Sequence, residues 1–283
     1  MKIPVRQISL KESVCFGVWL WLMPLLCLGA VFGDGDPSNG IEDSRTDAPA
    51  QLLKTVGTVF CDGGLRGTAA HVGLGSETEA NRPSIIITAA HVLFDTKTGL
   101  PFTDCSYRPE NRRLKSIAFA EVSPHSYQPN TDDKMRQSET DIVFVALRRS
   151  LQQKPLHLAL PQQAQTLQLL GYNPSNERIT ISGQCHAYRS SSFVSEHLLL
   201  HNCDAESGSS GGPLLEKTTF DGSQGIQNTV VAIHGGTLSN SGQYAPGARA
   251  QPEQWINQAR KVDAALLQRL ENFIAYLGKD SAH

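Results

Sequence analysis

The stretch Asp204-Ala205-Glu206-Ser207-Gly208-Ser209-Ser210-Gly211-Gly212-Pro213 sets a serine among glycines, with small residues before it and a proline after. Small neighbours let a substrate carbonyl reach the Ser210 hydroxyl, and glycine lets the backbone turn N–H groups toward a developing oxyanion. The chemistry that suits this arrangement is nucleophilic acyl transfer. A serine hydroxyl is a weak nucleophile at neutral pH, so it needs a base, and the base needs a partner to orient it. Without those two groups the stretch reads equally well as a Gly/Ser-rich surface loop.

Thr-Ala-Ala-His-Val occurs twice, at residues 68–72 and 88–92. His91 is the better base, because Ile85-Ile86-Ile87 before it forms a buried-strand context able to hold an imidazole rigidly. His71 falls within a strand and reads as structural. Asp141 opens the apolar run Ile142-Val143-Phe144-Val145-Ala146-Leu147. An aspartate there is drawn partly inward, where an unpaired carboxylate is costly and an imidazole N–H is a fitting donor. Asp132, Asp133 and Glu139 lack that apolar continuation and read as solvated, while His197 and His201 flank a leucine run and read as strand-surface residues.

Each of the three segments resembles the corresponding one of the trypsin-like (chymotrypsin-fold) serine proteases. The serine stretch is similar to that family's Gly-Asp-Ser-Gly-Gly-Pro signature, with Ser209 replacing the aspartate. Thr88-Ala89-Ala90-His91 after a buried strand and Asp141-Ile142 resemble the other two, in the order His, Asp, Ser of that fold. Cys203-Asp204-Ala205 and Ile233-His234-Gly235-Gly236 resemble the bacterial glutamyl-endopeptidase-like (V8-like) branch. The likeness spans roughly residues 55–277 and implies an all-β fold of two perpendicular six-stranded barrels with the site in the crevice between them.

It also implies roles: Ser210 as nucleophile, His91 as general base and acid, Asp141 as its orienting partner, and the N–H groups of Gly208 and Ser210 as the oxyanion hole. No metal and no organic cofactor is implied, and the substrates would be proteins or peptides. The pocket residues point two ways. Asp204 stands where trypsin has the aspartate that favours Arg or Lys, whereas His234 matches the histidine with which glutamyl endopeptidases bind an acidic side chain. Ala205 lacks the hydroxyl that the Glu-specific members place beside it. Ser209 is a departure, since in trypsin the aspartate there pairs with the new N-terminus after zymogen cleavage. The expectation is an oxyanion hole formed without that switch.

The rest of the chain must position these groups. Residues 53–277 form the expected domain, with a first barrel over about 53–150 and a second over about 154–250. The recurrence of Ala264, Leu266, Leu267, Leu270, Phe273, Ile274 and Leu277 predicts an amphipathic helix over 262–277. Residues 34–52 are rich in Gly, Asp, Pro, Ser and Ala and read as a flexible linker or propeptide. Residues 1–33 have the layout of a signal peptide: Lys2, Arg6 and Lys11, then an apolar run from Val14 to Phe32. Cleavage could follow Ala30 or Gly33, and an uncleaved signal anchor is the alternative. Either way the body is exported, secreted or periplasmic, and meets a membrane only if this segment stays. Beyond the leader, Cys61, Cys105, Cys185 and Cys203 allow three connectivities, of which pairing within each half, Cys61–Cys105 and Cys185–Cys203, is favoured. Zinc spacing is lacking.

A formal net charge of -2 with 18% charged residues gives no reason to expect a nucleic-acid partner, and the expected state is a monomer. Two other functions compete. Gly208-Ser209-Ser210-Gly211-Gly212 also fits the nucleophile elbow of α/β-hydrolases, but that fold needs a long helix after the serine, and Thr218-Thr219-Phe220-Asp221-Gly222 leaves no room for one. The other is a catalytically inactive binding protein on a protease fold, which the presence of all three triad residues argues against.

Overall fold

A computed structural model describes residues 30–32, 43–75, 83–95, 97–110, 115–162, 166–219, 226–239 and 255–280. Short strands dominate, as the short apolar runs and frequent turn residues dictate. The signal segment lies outside the described residues except for 30–32, and no described helix is long and apolar enough to cross a membrane.

Strand β1 (Thr46–Asp47) precedes β2 (Val56–Cys61), β3 (Gly64–Gly73), β4 (Ile85–Thr88), β5 (Cys105–Pro109), β6 (Ile117–Val122) and β7 (Val143–Leu147). The last six close on themselves, every pair antiparallel: β2 pairs β3, β3 pairs β4, β4 pairs β7, β7 pairs β6, β6 pairs β5 and β5 returns to β2. This is a closed six-stranded barrel, and closure removes the exposed edges that a flat sheet would leave. Inside it pack Val59, Ala69, Ile86, Tyr107, Val143 and Val145, all fully buried.

β8 (Leu156–Leu158) runs parallel to β3 and crosses to the second half. There β9 (Leu167–Asn173), β10 (Arg178–Ile181), β11 (Ala187–Tyr188), β12 (Leu198–His201), β13 (Pro213–Thr219), β14 (Ile226–Ser239) and β15 (Trp255–Lys261) follow. Pairing runs β10–β9–β13–β14–β15–β12–β11. Between β10 and β11 an isolated bridge pairs Cys185 with Leu167 of β9, and among the described residues no strand pairing joins β11 to β10. Both expected disulfides are present: Cys61–Cys105 across directly opposed residues of β2 and β5, and Cys185–Cys203 at the base of the serine loop.

Two elements differ from the sequence expectation. The strands of the second half continue past residue 250 with β15, whose Asn257, Gln258 and Arg260 are buried polar residues that hide the apolar alternation of a strand. Within the expected linker of 34–52, residues 43–52 are docked: β1 pairs with β10, Thr46 opposite Ile181 and Asp47 opposite Thr180, and a short 3-10 turn at Leu52–Lys54 leads into the expected domain. Composition suggested nothing to bury there, yet Ala48 and Leu52 enter the main core.

A six-residue helix α1 (Lys134–Glu139) precedes Asp141, and the C-terminal helix α2 spans Ala264–Asp280. Its Leu266, Leu270 and Phe273 share one face and enter the main core with Val56, Leu170 and Leu215. Asp263 caps its start by accepting the Leu266 N–H at 2.8 Å.

Candidate active site

The register of β4 against β7 brings His91 to Asp141. Thr88 lies opposite Val143 in this antiparallel pair. The end of β4 and the start of β7 therefore share one edge of the barrel, and a 3-10 turn at Ala90–Leu93 follows one while Asp141 precedes the other. Asp141 accepts two hydrogen bonds from His91: the backbone N–H to Oδ1 at 2.8 Å and the ring Nδ1 to Oδ2 at 2.6 Å. The carboxylate is 6% exposed and the imidazole 16%, and the two bonds fix the ring through its main chain and Nδ1 without using Nε2. Burial alone would lower the His91 pKa, but the charge and hydrogen bond of Asp141 outweigh it and hold the pKa above its ordinary value.

Ser210 sits in the loop between Cys203 and β13, and it is buried. One residue of the first barrel clamps this loop. Thr68 donates its backbone N–H to the Ser210 carbonyl at 2.7 Å and its hydroxyl to the Gly208 carbonyl at 2.7 Å. Its hydroxyl accepts the Tyr172 N–H at 2.8 Å, and its own carbonyl accepts the Thr88 hydroxyl at 2.8 Å. Gly211 fits against the same place with φ +83, where a Cβ would stand 2.1 Å from the Thr68 carbonyl and 3.1 Å from the Ala89 nitrogen. The residue after Ser210 is thus packed against the strand end that leads into His91.

Backbone donors in the loop divide into two sets. The N–H of Ser209 donates to Glu206, that of Gly211 to His234 and that of Gly212 to Ser209. Those of Gly208 and Ser210 have no acceptor among the described residues. Ser209, in place of the family's aspartate, folds the loop onto itself, its hydroxyl accepting the Glu206 N–H at 3.3 Å. It packs on Gly171, where a Cβ would come within 2.5 Å of the Ser209 hydroxyl.

The three pocket candidates occupy different situations. Asp204 is 2% exposed, and both its oxygens are taken: Oδ1 accepts the Phe32 N–H at 2.6 Å, and Oδ2 accepts the Ser44 N–H at 2.8 Å and the Ser44 hydroxyl at 2.6 Å. Ala205 is buried, and its N–H donates to the carbonyl of Ala30 at 3.2 Å. His234 lies beside the nucleophile loop, its N–H donating to Gly212 and its carbonyl accepting from Gly211, next to a bulge at Gly235. Its Nδ1 is 3.2 Å from Nε2 of His201. His201 is fully buried, which corrects its assignment to the strand surface. The Cys203 N–H donates to His201 Nδ1 at 3.3 Å. A nitrogen that accepts carries no proton, so His201 holds its proton on Nε2 and donates it to His234, whose own proton is then on Nε2. Burial, with the nearby charge of His91, lowers the His234 pKa to about 3, and burial also keeps His201 neutral.

Thr68 and His201 are the functional neighbours that sequence reasoning missed. The duplicated Thr-Ala-Ala-His-Val at 68–72 was the signal for the first, carried by its threonine rather than its histidine. His71 is indeed in β3 and buried, with its pKa lowered to about 4 by burial. Among the described residues no group of three or more His, Cys, Asp or Glu side chains converges as a metal site would require.

Comparison with known proteins agrees with this fold. The sequence profile described as the trypsin-like peptidase domain matches residues 68–220, more than half of the chain. No curated protein matches the chain by sequence. Among solved structures, a glutamyl endopeptidase in complex with MPD is similar over 83% of this chain and 98% of its own, with a TM-score of 0.56 at 16% identity. The thermostable serine protease AL20, from an extremophilic microorganism, is similar over 80% of this chain and 99% of its own, with a TM-score of 0.55 at 18% identity. Protease Anisep from Arthrobacter nicotinovorans is similar over 82% of this chain and 99% of its own, with a TM-score of 0.55 at 13% identity. At such identities the likeness is one of fold, and the glutamyl endopeptidase fits the V8-like branch that the sequence suggests.

Proposed function

We propose that this chain, which belongs to the trypsin-like peptidase family, is an exported serine endopeptidase that works through His91, Asp141 and Ser210. The observation that carries the proposal is the doubly hydrogen-bonded His91–Asp141 pair on a barrel edge against which the Ser210 loop is packed. His91 Nε2 takes the proton of the Ser210 hydroxyl as the oxygen attacks the scissile carbonyl. The imidazolium so formed is stabilised through Nδ1–H by Asp141, which stays ionised. The tetrahedral oxyanion accepts from the N–H groups of Gly208 and Ser210, which have no other acceptor among the described residues. His91 then gives its proton to the leaving amine, and water repeats the sequence on the acyl-enzyme. Two disulfides favour an oxidising compartment outside the cytoplasm.

The pocket reading favours His234 over Asp204. The Ser44 N–H and hydroxyl hold Asp204 Oδ2, contacts that either leader cleavage leaves in place, so the buried carboxylate offers little to a basic substrate side chain. His234 is buried too, but its ring is neutral and carries its proton on Nε2, where it can donate. A donor suits a side chain with an acceptor oxygen, a carboxylate or an amide, whereas an ammonium or guanidinium has none. Matched peptide amides with Glu, Gln or Arg at the cleaved position test this. Cleavage of the Glu and Gln peptides and not the Arg peptide is expected, abolished by Ser210→Ala. Preferred cleavage after Arg would contradict the pocket, and turnover that survives Ser210→Ala would contradict the mechanism.

A further inference from the structure

Loops that carry a nucleophile and an oxyanion hole are short of internal contacts and must be held from outside to keep donors aimed. Here the residue before the nucleophile is Ser209, which cannot carry an ion pair. The loop nevertheless contains two acidic residues, Asp204 and Glu206, and both face the same neighbour. Ser44 places its N–H and hydroxyl on Asp204 Oδ2, and Arg45 places Nη2 on Glu206 Oε1 at 3.0 Å. The Arg45 side chain is 4% exposed and braced from behind by Asp43. Burial works against its charge, but the hydrogen bonds of Asp43 and Glu206 outweigh burial and raise its pKa.

The neighbour is itself anchored. The Gly183 N–H donates to the Ser44 carbonyl at 3.1 Å, and Thr46 and Asp47 continue as β1 on β10. Glu206 passes the restraint on: it accepts the Ser175 hydroxyl at 2.7 Å, and its backbone is closed on Ser209 by the reciprocal pair of hydrogen bonds described above.

We infer that Ser44 and Arg45 are positioning residues for the Ser210 loop, and that this pair, just ahead of β1, clips Asp204 and Glu206 as an internal replacement for a charge pair at residue 209. Leader cleavage after Ala30 or Gly33 would leave both residues in place, so the clip is built into the mature domain and needs no freed N-terminus. The inference rests on Ser210 being the nucleophile.

The test measures the rate of fluorophosphonate labelling at Ser210, with kcat and KM for a peptide amide, in proteins carrying Arg45→Met, Arg45→Lys, Ser44→Ala or Arg178→Met. Each is shown to be folded by circular dichroism at the assay temperature. Loss of one charge-assisted hydrogen bond corresponds to roughly tenfold or more. Arg45→Met and Ser44→Ala should therefore slow labelling and lower kcat by about tenfold, with KM changing less, and Arg45→Lys should recover much of the rate. Arg178→Met removes an exposed ion pair to Asp47 at the far end of the same strand pair and should leave the rate at the wild-type value. If Arg45→Met labels as fast as wild type, the clip is wrong and the nucleophile assignment stands. If wild type does not label at Ser210, both fall. Should Arg45→Met fail to fold, Glu206→Gln breaks the same pair from the other side and carries the same outcomes.

Discussion

His91 is held between two opposing influences. Burial favours the neutral ring, and the charge and hydrogen bond of Asp141 favour the imidazolium strongly enough to win. A general base works only when neutral, so activity should rise with pH through a limb lying above the ordinary histidine value of about 6.5. Asp141→Asn removes the charge and leaves the burial. The limb should then move to lower pH, and kcat should fall by on the order of a thousandfold or more. A pH–rate profile of this variant checks the sign, and a limb that stays put or rises would mean that Asp141 is not what holds the ring. Residue identity was legible wherever a short run fixes its own surroundings. Three isoleucines before His91 and a full apolar run after Asp141 announce buried strands, and a glycine cluster announces a loop that approaches other backbone closely. His201 was not legible, because Leu198 to Leu200 give no sign of which alternate residues face inward. Its strand lies inside the sheet, paired with β11 on one edge and β15 on the other, and the side chain is fully buried.

Elements place these residues by register, and register was only partly readable. The strand runs of the first barrel are apolar enough to announce themselves. β15 is not, because it buries polar side chains: Asn257 donates to the carbonyls of Ala30 and Cys203, and Arg260 to that of Glu139. β1 was hidden for the opposite reason, since two residues of strand leave no periodicity to detect. Helix α2 was legible from its 3.6-residue spacing, and Leu270 at its centre is fully buried in the core that joins the two halves. Leu270→Ala should destabilise the protein by about 2–5 kcal/mol. Denaturant unfolding measures this, and a change under about 0.5 kcal/mol would show that the helix is a surface addition rather than a part of the core.

At the scale of the molecule, the closed barrel and the second strand set meet where Thr68 joins the Ser210 loop to the strand end before His91. The first half supplies the proposed base, His91, with Asp141, and the second supplies the proposed nucleophile, Ser210, with the Gly208 and Ser210 N–H groups, which have no acceptor among the described residues. The chain order His, Asp, Ser was readable from the start. The way the halves are fastened was not, because it depends on contacts between residues more than a hundred positions apart, such as Thr68 with Gly208 and Ser44 with Asp204. The central claim is that Ser210 is a nucleophile activated by His91. Labelling of the folded protein with a fluorophosphonate, followed by mass mapping, tests it most directly. The adduct should form on Ser210 alone, faster as pH rises through the His91 limb, and be abolished or slowed by more than a hundredfold in His91→Ala. A folded protein that takes up no label at Ser210, or labels as fast without His91, would contradict it.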